Sequence, residues 1–377
     1  MSKRTVYADH CATTPLDPVA LDAMLLFLRD EFGNPSSLHS WAKVPRAAVR
    51  NARETIAACI HAKPEQIFFT SGGTESDNWV VKNAGRKLTI TSEIEHHAVL
   101  NSCAAVEREG GAVEYLPVGK DGRLFSQLAV EAMFAGGEGL VSVMLANNEL
   151  GTIQDIGAIC HGRPSLAWRV HTDAVQAVGH IPVDVDRLGV DFLSASAHKF
   201  NGPRGVGFLY VRDPDGFPPY VDGGQQEFGM RAGTENVAGI VGMAAALKGN
   251  CDSLEHNMVY KRHLSEMLRT LVLERFPSAV LNGDEKTLLP GVLSLSFPGR
   301  NAEGVMHILD LRGIAVSTGA ACDSKNTRVS HVLKAIGLPD DVAKGTIRIS
   351  LDKENTEADV RLIVDALKVA VGAAPIV

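Results

Sequence analysis

A lysine in the middle of the chain has neighbours that suit carbonyl chemistry. Lys199 lies in the segment SASAHKF, where it follows an apolar run and precedes a glycine-rich stretch. A residue that ends a buried strand lies at the rim of an open α/β sheet, where such folds bind ligands. Ser196 and His198 can reach a phosphate from the same turn. Position alone also fits a solvated surface lysine, but these neighbours favour an amine that forms a Schiff base.

The segment SGGTESDN is a candidate phosphate site. Gly72 and Gly73 permit a tight turn after the apolar run IFFT. Gly73 and Thr74 then lie at a helix N-terminus, where free N–H groups bind anions. The segment matches neither the Walker loop nor the Rossmann fingerprint. A glycine pair before a helix is more often an ordinary turn and helix cap, so this segment alone is a weak signal.

Two further polar segments follow apolar runs. Asp173 and Gln176, in HTDAVQ, are predicted near the end of a strand. An acidic group there can keep a pyridine nitrogen protonated, which makes the ring an electron sink, or it can cap the next helix. His96, in EIEHHAV, suits stacking on a planar ring or moving protons. A loop histidine without a role fits the same pattern, and His97 has no stronger claim than that.

One cysteine lies in a setting that suits a nucleophile. Cys322 belongs to the segment VSTGAACDS, whose small and polar residues predict an exposed, mobile loop. An accessible thiol of this kind can act as a nucleophile once it loses its proton. The other five cysteines lie in more apolar or helical contexts, although Cys11, near the chain start, stays open.

The order of predicted elements indicates how these residues are positioned. Seven short apolar runs predict buried strands, and amphipathic helical stretches separate several of them. The runs are QIFFT, KLTITS, AVEYLPV, GLVSVML, WRVHTDA, VDFLSAS and GVGFLYV. This alternation predicts an α/β fold around a mostly parallel sheet.

After about residue 245 the pattern changes to that of a smaller α+β domain. A long charged helix, the short strands GVLSLSF, IAVST and TIRISL, and a final helix from Thr356 are predicted there. We therefore expect a large cofactor-binding domain at residues 16–250. The small domain comprises residues 1–15 and 251–377 and carries the Cys322 loop. By pattern alone, the N-terminal strand fits either domain.

Composition excludes several classes of protein. A chain of 377 residues with 45% hydrophobic residues is long enough for a sizeable core. The net charge of -7 argues against nucleic acid or an anionic membrane as the main partner. Six cysteines without a CxxC pair, and a polar chain start, indicate a reducing compartment, and we expect the cytoplasm. No metal site is predicted.

Taken together, these segments resemble the class V, fold type I pyridoxal-phosphate enzymes, and within them the NifS/IscS group of cysteine desulfurases. The likeness runs nearly end to end, in the family's order. The matching blocks are DHCATTPLD, FGNPSS, FTSGGTESDN, EHHAVL, NNELGTIQD, HTDAVQAVG, SAHKFNGPRGVG, MRAGTEN, STGAACDS, VSHVLKAIGL and TIRISL. The resemblance implies a fold type I transferase whose large domain has a mostly parallel seven-stranded sheet.

The resemblance also implies an activity and the residues that perform it. L-cysteine is converted to L-alanine, and Cys322 takes the sulfur as a persulfide for an acceptor protein that serves iron-sulfur cluster or thio-modification pathways. Lys199 carries the cofactor, pyridoxal 5'-phosphate, and His96 is the acid and base near the thiol. The implied cofactor residues are Gly73, Thr74, His96, Asn148, Asp173, Gln176, Ser196, His198, Lys199 and, donated by the partner of a homodimer, Thr234. Asn34 and Arg348 are implied to bind the substrate carboxylate.

Other activities remain open at this point. The spelling GAAC is similar to that of selenocysteine lyases in the same family, so selenocysteine is an alternative substrate. A class V transaminase or a carbon-sulfur lyase without a protein persulfide is a second alternative. A third is a cofactor-binding scaffold without catalysis, although the set of Lys199, Asp173 and His96 argues against it. Asp323 is expected to raise the pKa of the adjacent Cys322 thiol.

Overall fold

The computed structural model describes residues 5–84, 87–318 and 329–373. Cys322 and Asp323 lie outside the described residues, so the predictions about them stay predictions. The strands are β1 (Val6–Tyr7), β2 (Ile67–Thr70), β3 (Leu88–Ser92), β4 (Ala112–Leu116), β5 (Gly139–Ser142), β6 (Trp168–Asp173), β7 (Phe192–Ser196), β8 (Gly207–Val211), β9 (Val280–Asn282), β10 (Val292–Ser296), β11 (Ile314–Ala315), β12 (Ser317–Thr318) and β13 (Thr346–Ser350).

Helices separate most of the strands of the large sheet, as the sequence predicts. The helices are α1 (Pro18–Arg29), α2 (Lys43–Cys59), α3 (Gly73–Ala84), α4 (His97–Arg108), α5 (Ser126–Gly136), α6 (Ile156–Gly162), α7 (Val185–Leu188), α8 (Val237–Asp252), α9 (Leu254–Arg275), α10 (Ala302–Leu311), α11 (His331–Ala335), α12 (Asp340–Ala343) and α13 (Glu357–Ala373). The predicted long charged helix is α9 and the predicted final helix is α13. Among the described helices, none combines the length and the apolar character that a membrane crossing needs.

All seven predicted strands of the large sheet are present. Their order in the sheet is β2-β8-β7-β6-β5-β3-β4. β8 runs antiparallel to both of its neighbours, and the other neighbouring pairs are parallel. β7 and β8 are buried along their whole length, as expected for strands covered on both faces. The prediction of a mostly parallel seven-stranded sheet is confirmed.

The parallel strands set the position of the candidate site residues. β6 ends at Asp173, and β7 ends at Ser196, three residues before Lys199. β3 ends at Ser92, and His96 follows in the turn that leads to α4. Because the carboxyl ends of parallel strands meet at one edge of a sheet, the three polar segments come together there.

A second, antiparallel sheet has the order β12-β13-β10-β9. β1 pairs in parallel with β11, so the N-terminal strand packs with the C-terminal part of the chain. The predicted strand IAVST is divided between two sheets, because β11 pairs with β1 while β12 pairs with β13. The predicted division at residues 250/251 falls within the last turn of α8. The domain boundaries stay a prediction.

The N-terminal segment connects the two sheets at the candidate site. Asp9 forms a β-bridge with Ser350 at the end of β13. The backbone N–H of Cys11 donates a hydrogen bond to Ser350 Oγ at 3.0 Å. The residues after β1 therefore lie against β13, and their backbone reaches the edge of the large sheet where Lys199 lies.

Candidate active site

A cavity of about 550 Å³ opens at the carboxyl edge of the large sheet. Its size lies within the range of small-molecule sites, roughly 300–1,000 Å³. The cavity brings together most of the site residues expected from the sequence. Those that line it are Gly73, Thr74, His96, Asn148, Asp173, Gln176, Ser196, His198, Lys199 and Arg348.

Lys199 ends a short 3₁₀ turn that follows β7. Its Nζ donates hydrogen bonds to the carbonyl oxygens of Cys11 at 2.5 Å and Ala12 at 2.9 Å. Burial is the main cause that lowers the pKa of the Lys199 amine, and the charge of Arg348 acts in the same direction. A lowered pKa makes the unprotonated, nucleophilic amine more accessible at neutral pH.

Asp173 lies at the floor of the site, at the end of β6. Its side chain is buried, and Oδ1 accepts a hydrogen bond from the Val175 N–H at 2.9 Å. Burial raises the pKa of Asp173, while the charges of His96 and Lys199 lower it. Asp77, also buried and in the cavity wall, has a pKa raised by burial and by the charge of Asp173. Burial therefore disfavours a negative charge on both of these carboxyl groups.

His96 caps the N-terminus of α4. Its Nδ1 accepts a hydrogen bond from the Ala98 N–H at 3.1 Å. A neutral imidazole whose Nδ1 accepts must carry its proton on Nε2. Burial lowers the pKa of His96, so the neutral ring predominates at neutral pH. His96 can therefore present an N–H donor to a group in the cavity.

The N-terminus of α3 faces the cavity through Gly73 and Thr74. A Cβ at Gly73 would lie 2.6 Å from Val175 Cγ2, so only glycine permits this close approach of the helix. The first N–H groups of a helix have no acceptor within the helix, and they attract anions. Ser196 and His198 line the same cavity, and burial lowers the pKa of His198 to about 4.

Arg348, in β13, reaches the cavity from the second sheet. Its Nη2 donates to Asp9 Oδ1 at 2.7 Å and its Nη1 to the carbonyl oxygen of Asn148 at 2.9 Å. Its Nε is buried and has no hydrogen-bond partner within the described part of the chain. The charge of a guanidinium that lines the cavity fits the carboxylate of a ligand.

Asn34 and Thr234 do not line this cavity. Both residues are exposed. Their segments lie side by side, because Ser36 Oγ is 3.5 Å from Glu235 Oε1. The residues that border the undescribed segment, Val329 and Ser330, do line the cavity.

Sequence reasoning missed several residues of the cavity wall. Asp77 is four residues after Gly73 on α3, so its helical spacing was a usable signal. The other polar lining residues without a predicted role are Cys11, His97, Glu149, Ser330, His331 and Lys334. His97 and Glu149 adjoin the predicted His96 and Asn148, whereas Ser330, His331 and Lys334 come from a distant part of the chain. Ser330 Oγ donates to Glu149 Oε2 at 2.6 Å, and the rings of His97 and His331 lie 4.8 Å apart.

The donor set of the cavity fits pyridoxal 5'-phosphate. The α3 N-terminus fits the phosphate, because Gly73 allows the backbone to approach closely. The buried carboxyl of Asp173 fits a protonated pyridine nitrogen, and the Lys199 amine fits the aldehyde. All three groups line one cavity. The arrangement can therefore hold a carbonyl cofactor beside an acid and base, His96, and a carboxylate ligand of Arg348.

The sequence is similar along nearly its whole length to proteins of known family. The profile described as aminotransferase class-V matches residues 6–363. The cysteine desulfurase IscS of Dictyoglomus turgidum is 43% identical over 372 residues, which cover 97% of this chain and 94% of that protein.

The fold is also similar to that of solved structures. A structure described as a NifS-like protein is 36% identical with a TM-score of 0.92, covering 98% of this chain and 100% of that chain. The structure of SspA in complex with cysteine is 34% identical with a TM-score of 0.82, covering 93% and 100%. The predicted α/β architecture of fold type I is confirmed.

Proposed function

Because this chain belongs to the aminotransferase class-V family, and within it to the cysteine desulfurases, we propose that it converts L-cysteine to L-alanine with pyridoxal 5'-phosphate and passes the sulfur to Cys322. One observation carries the proposal. The buried amine of Lys199 and the buried carboxyl of Asp173 line the same cavity as the N-terminus of α3. Amine, carboxylate and anion site are the three features that this cofactor requires.

The cofactor is held from three sides in this proposal. Gly73, Thr74, Ser196 and His198 bind its phosphate. Asp173 pairs with the ring nitrogen, His96 stacks on the ring, and Gln176 and Asn148 approach the phenolic oxygen. Lys199 is the point of covalent attachment. When bound, the cofactor supplies an electron sink for the carbon from which the substrate proton leaves.

Two residues of this chain move protons. Lys199, once released by the substrate amine, takes the proton from the substrate Cα, and the lowered pKa of its amine suits a base. His96 carries its proton on Nε2, because Nδ1 accepts from the Ala98 N–H. It therefore serves as the acid and base near the substrate thiol.

Arg348 fixes the orientation of the substrate. Its guanidinium, which lines the cavity, is proposed to bind the substrate carboxylate. Asn34 is proposed to help bind the same carboxylate. It is exposed and outside the cavity lined by its own chain. In the proposed dimer, Asn34 acts from a face that a second copy covers.

Cys322 receives the sulfur. The Cβ–S bond of cysteine breaks, an S–S bond forms at Cys322 Sγ, and the former Cβ takes a proton to become the methyl group of alanine. The sulfur is oxidised to the sulfane state while the carbon is reduced, so no external oxidant is needed. The persulfide then passes to an acceptor protein.

A homodimer is supported by the face that carries Asn34 and Thr234. The apolar side chains of Phe32, Leu38 and Trp41 are exposed there by 70%, 99% and 59%. Such a cluster of large exposed apolar side chains marks an interaction surface. We propose that a second copy of the chain covers it and that Thr234 completes the phosphate site of the partner subunit.

L-cysteine is the proposed substrate, and iron-sulfur cluster or thio-modification pathways are the proposed destination of the sulfur. The relatives reported above carry the name cysteine desulfurase, and one neighbour was solved with cysteine. No finding favours selenocysteine or a carbon-sulfur lyase reaction. The sparse cysteines, without a CxxC pair, support the cytoplasm as the location.

The proposal is tested by measuring alanine formed from cysteine in the presence of a reductant that removes persulfide sulfur. Wild-type protein should form alanine over many turnovers, and Cys322→Ala should not. Cys251→Ala, at a half-buried cysteine of α8, is the matched control and should behave as wild type. Undiminished alanine formation by Cys322→Ala would show a lyase that does not use this thiol.

A further inference from the structure

The backbone that follows the Lys199 side chain is held by hydrogen bonds from distant residues. The carbonyl oxygen of Lys199 accepts a hydrogen bond from His180 Nε2 at 2.7 Å. The next carbonyl oxygen, that of Phe200, accepts one from Asn250 Nδ2 at 2.8 Å. Two consecutive peptide groups after the catalytic amine are thus fixed by the half-buried His180 and the buried Asn250.

A lysine determines which ring nitrogen of His180 donates. Lys261 Nζ lies 2.8 Å from His180 Nδ1, and an ammonium group can only donate. Nδ1 therefore accepts, and the proton of the neutral ring must lie on Nε2, which faces the Lys199 carbonyl. Burial, followed by the charge of Lys261, lowers the pKa of His180 to about 4, so the ring is neutral.

A carboxylate balances the charge of Lys261. Asp352 Oδ1 lies 3.4 Å from Lys261 Nζ, and the two side chains are only 4% and 3% exposed. Although burial raises the pKa of Asp352, Lys261 and the two nearby histidines lower it to about 2. Asp352 is therefore ionised at neutral pH. His10, Asp352 and Glu354 have the spacing of metal ligands, but the Lys261 ammonium already supplies the positive charge beside Asp352.

A second series of hydrogen bonds starts at Lys353, the residue after Asp352. Lys353 Nζ donates to Asn250 Oδ1 at 3.1 Å, and Asn250 in turn donates to the Phe200 carbonyl. Asp352 and Lys353 are adjacent, and they directly follow β13 and Leu351. β13 is the strand that carries Arg348. One short segment thus connects the strand of the carboxylate-binding arginine to the backbone of Lys199.

We propose that Asp352, Lys261 and His180 are positioning residues that fix the backbone of Lys199 relative to β13. The Lys199 amine and Arg348 are then held at the spacing at which both can contact the same substrate molecule. The inference rests on the proposed function of Lys199. The amine must reach the Cα of a substrate whose carboxylate is held from β13. A displaced lysine backbone moves the base while leaving the carboxylate site in place.

Two substitutions of His180 distinguish a loss of positioning from a general loss of protein stability. His180→Phe keeps an aromatic ring but removes the donor, whereas His180→Gln keeps an amide N–H that can reach the Lys199 carbonyl. For alanine formation, kcat of His180→Phe should fall at least roughly tenfold, with KM for cysteine changed by less than about twofold, because small displacements of a reacting group slow the chemical step. His180→Gln should recover most of the loss.

A second readout does not depend on turnover. The cofactor is first removed from the holoenzyme, and pyridoxal 5'-phosphate is then added back. Visible absorbance returns as Lys199 captures the aldehyde. We expect this capture to be slower in His180→Phe than in wild type and restored in His180→Gln. His263→Phe, at a histidine of α9 whose side chain is 55% exposed, is the matched control.

Lys261 is tested together with its counterion. Lys261→Met alone leaves the Asp352 carboxylate buried without a partner and can prevent folding. Lys261→Met combined with Asp352→Asn removes both charges and should fold, with the slow capture and low kcat of His180→Phe. Lys248→Met, at an exposed lysine of α8, controls for the loss of a lysine.

The outcomes distinguish this inference from the proposed function. Wild-type capture rates and kcat in His180→Phe would overturn the inference, and so would an equal loss in His180→Gln. Wild-type protein that captures the cofactor yet forms no alanine would overturn the proposed function instead, while the capture rates of the variants would still decide the positioning role.

Discussion

Lys199 Nζ lies 2.5 Å from the carbonyl oxygen of Cys11 and donates a hydrogen bond to it. Cys11 is held in turn by Ser350, because its N–H donates to Ser350 Oγ at the end of β13. A peptide carbonyl orients an amine without adding a negative charge beside it. The site therefore holds the Lys199 amine in place while its pKa stays lowered.

Replacing Lys199 should remove the covalent attachment of the cofactor. In Lys199→Ala we expect no cofactor absorbance that shifts on adding cysteine, and a loss of alanine formation of at least about 1,000-fold, since both the anchor and the base are gone. Absorption spectra and alanine assays measure the two effects. Lys248→Ala is the control. A yellow, cysteine-responsive Lys199→Ala protein would move the anchor to another lysine.

Asp173→Asn tests the proposed contact with the ring nitrogen. The amide can still accept from the Val175 N–H through its oxygen, so the fold and the cofactor should be retained. Without the negative charge, the ring nitrogen is no longer kept protonated, and kcat should fall by roughly 100-fold or more. Asp186→Asn, at a side chain that is 74% exposed, is the control and should leave kcat unchanged. An unchanged kcat in Asp173→Asn would exclude Asp173 from this role.

Arg348→Lys tests the binding of the substrate carboxylate. Lysine keeps the positive charge but lacks the planar fork and the free Nε. A charged hydrogen bond contributes about 1.5–3 kcal/mol, so KM for cysteine should rise roughly 10- to 100-fold, more than kcat falls. Steady-state kinetics separate the two parameters. Arg269→Lys, in the pair with Glu285, is the control. A fall in kcat at constant KM would assign Arg348 to the chemical step.

Glu149 should make stability depend on pH. Burial raises the pKa of Glu149 from the ordinary 4.5 to about 7, although Ser330 and Arg348 lower it. The folded state binds the Glu149 proton more tightly than the unfolded state does. The stabilisation that this proton gives is therefore complete below the pKa of the unfolded state, and it is lost as the pH rises through the pKa of the folded state. Glu149→Gln stays neutral and lacks this dependence.

We therefore expect the free energy of unfolding of wild type, relative to Glu149→Gln, to fall by at least about 1 kcal/mol between about pH 5 and about pH 8. Urea denaturation at several pH values gives the difference. Glu114→Gln, at an exposed glutamate of β4, should show no such trend. A difference for Glu149→Gln that does not change with pH, or that rises, would contradict the raised pKa.

Local pattern was enough to predict the large sheet and the residues at its edge. Each strand is a short apolar run. Asp173 ends one of these strands, and His96 and Lys199 lie within four residues after the end of another. Parallel strands then bring the three together without further information. The sequence therefore predicted that Asp173, His96 and Lys199 meet at this edge of the sheet.

The remaining wall of the cavity depends on contacts between distant segments. Cys11 and Ser350 are 339 residues apart, and Glu149 meets Ser330 across 181 residues. No periodicity reports such contacts, so the roles of the Cys11 carbonyl and of Glu149 were not predicted. The same reason explains the divided strand IAVST, since its two halves find partners in different sheets.

Cys322 is proposed to take the sulfur of cysteine. The most direct test is to mix the holoenzyme with L-cysteine, alkylate it at once and map the peptides by mass spectrometry. We predict one added sulfur atom on the peptide of Cys322, absent from Lys199→Ala protein treated in the same way. Added sulfur on another cysteine, such as Cys11, with an unmodified Cys322 would contradict the account.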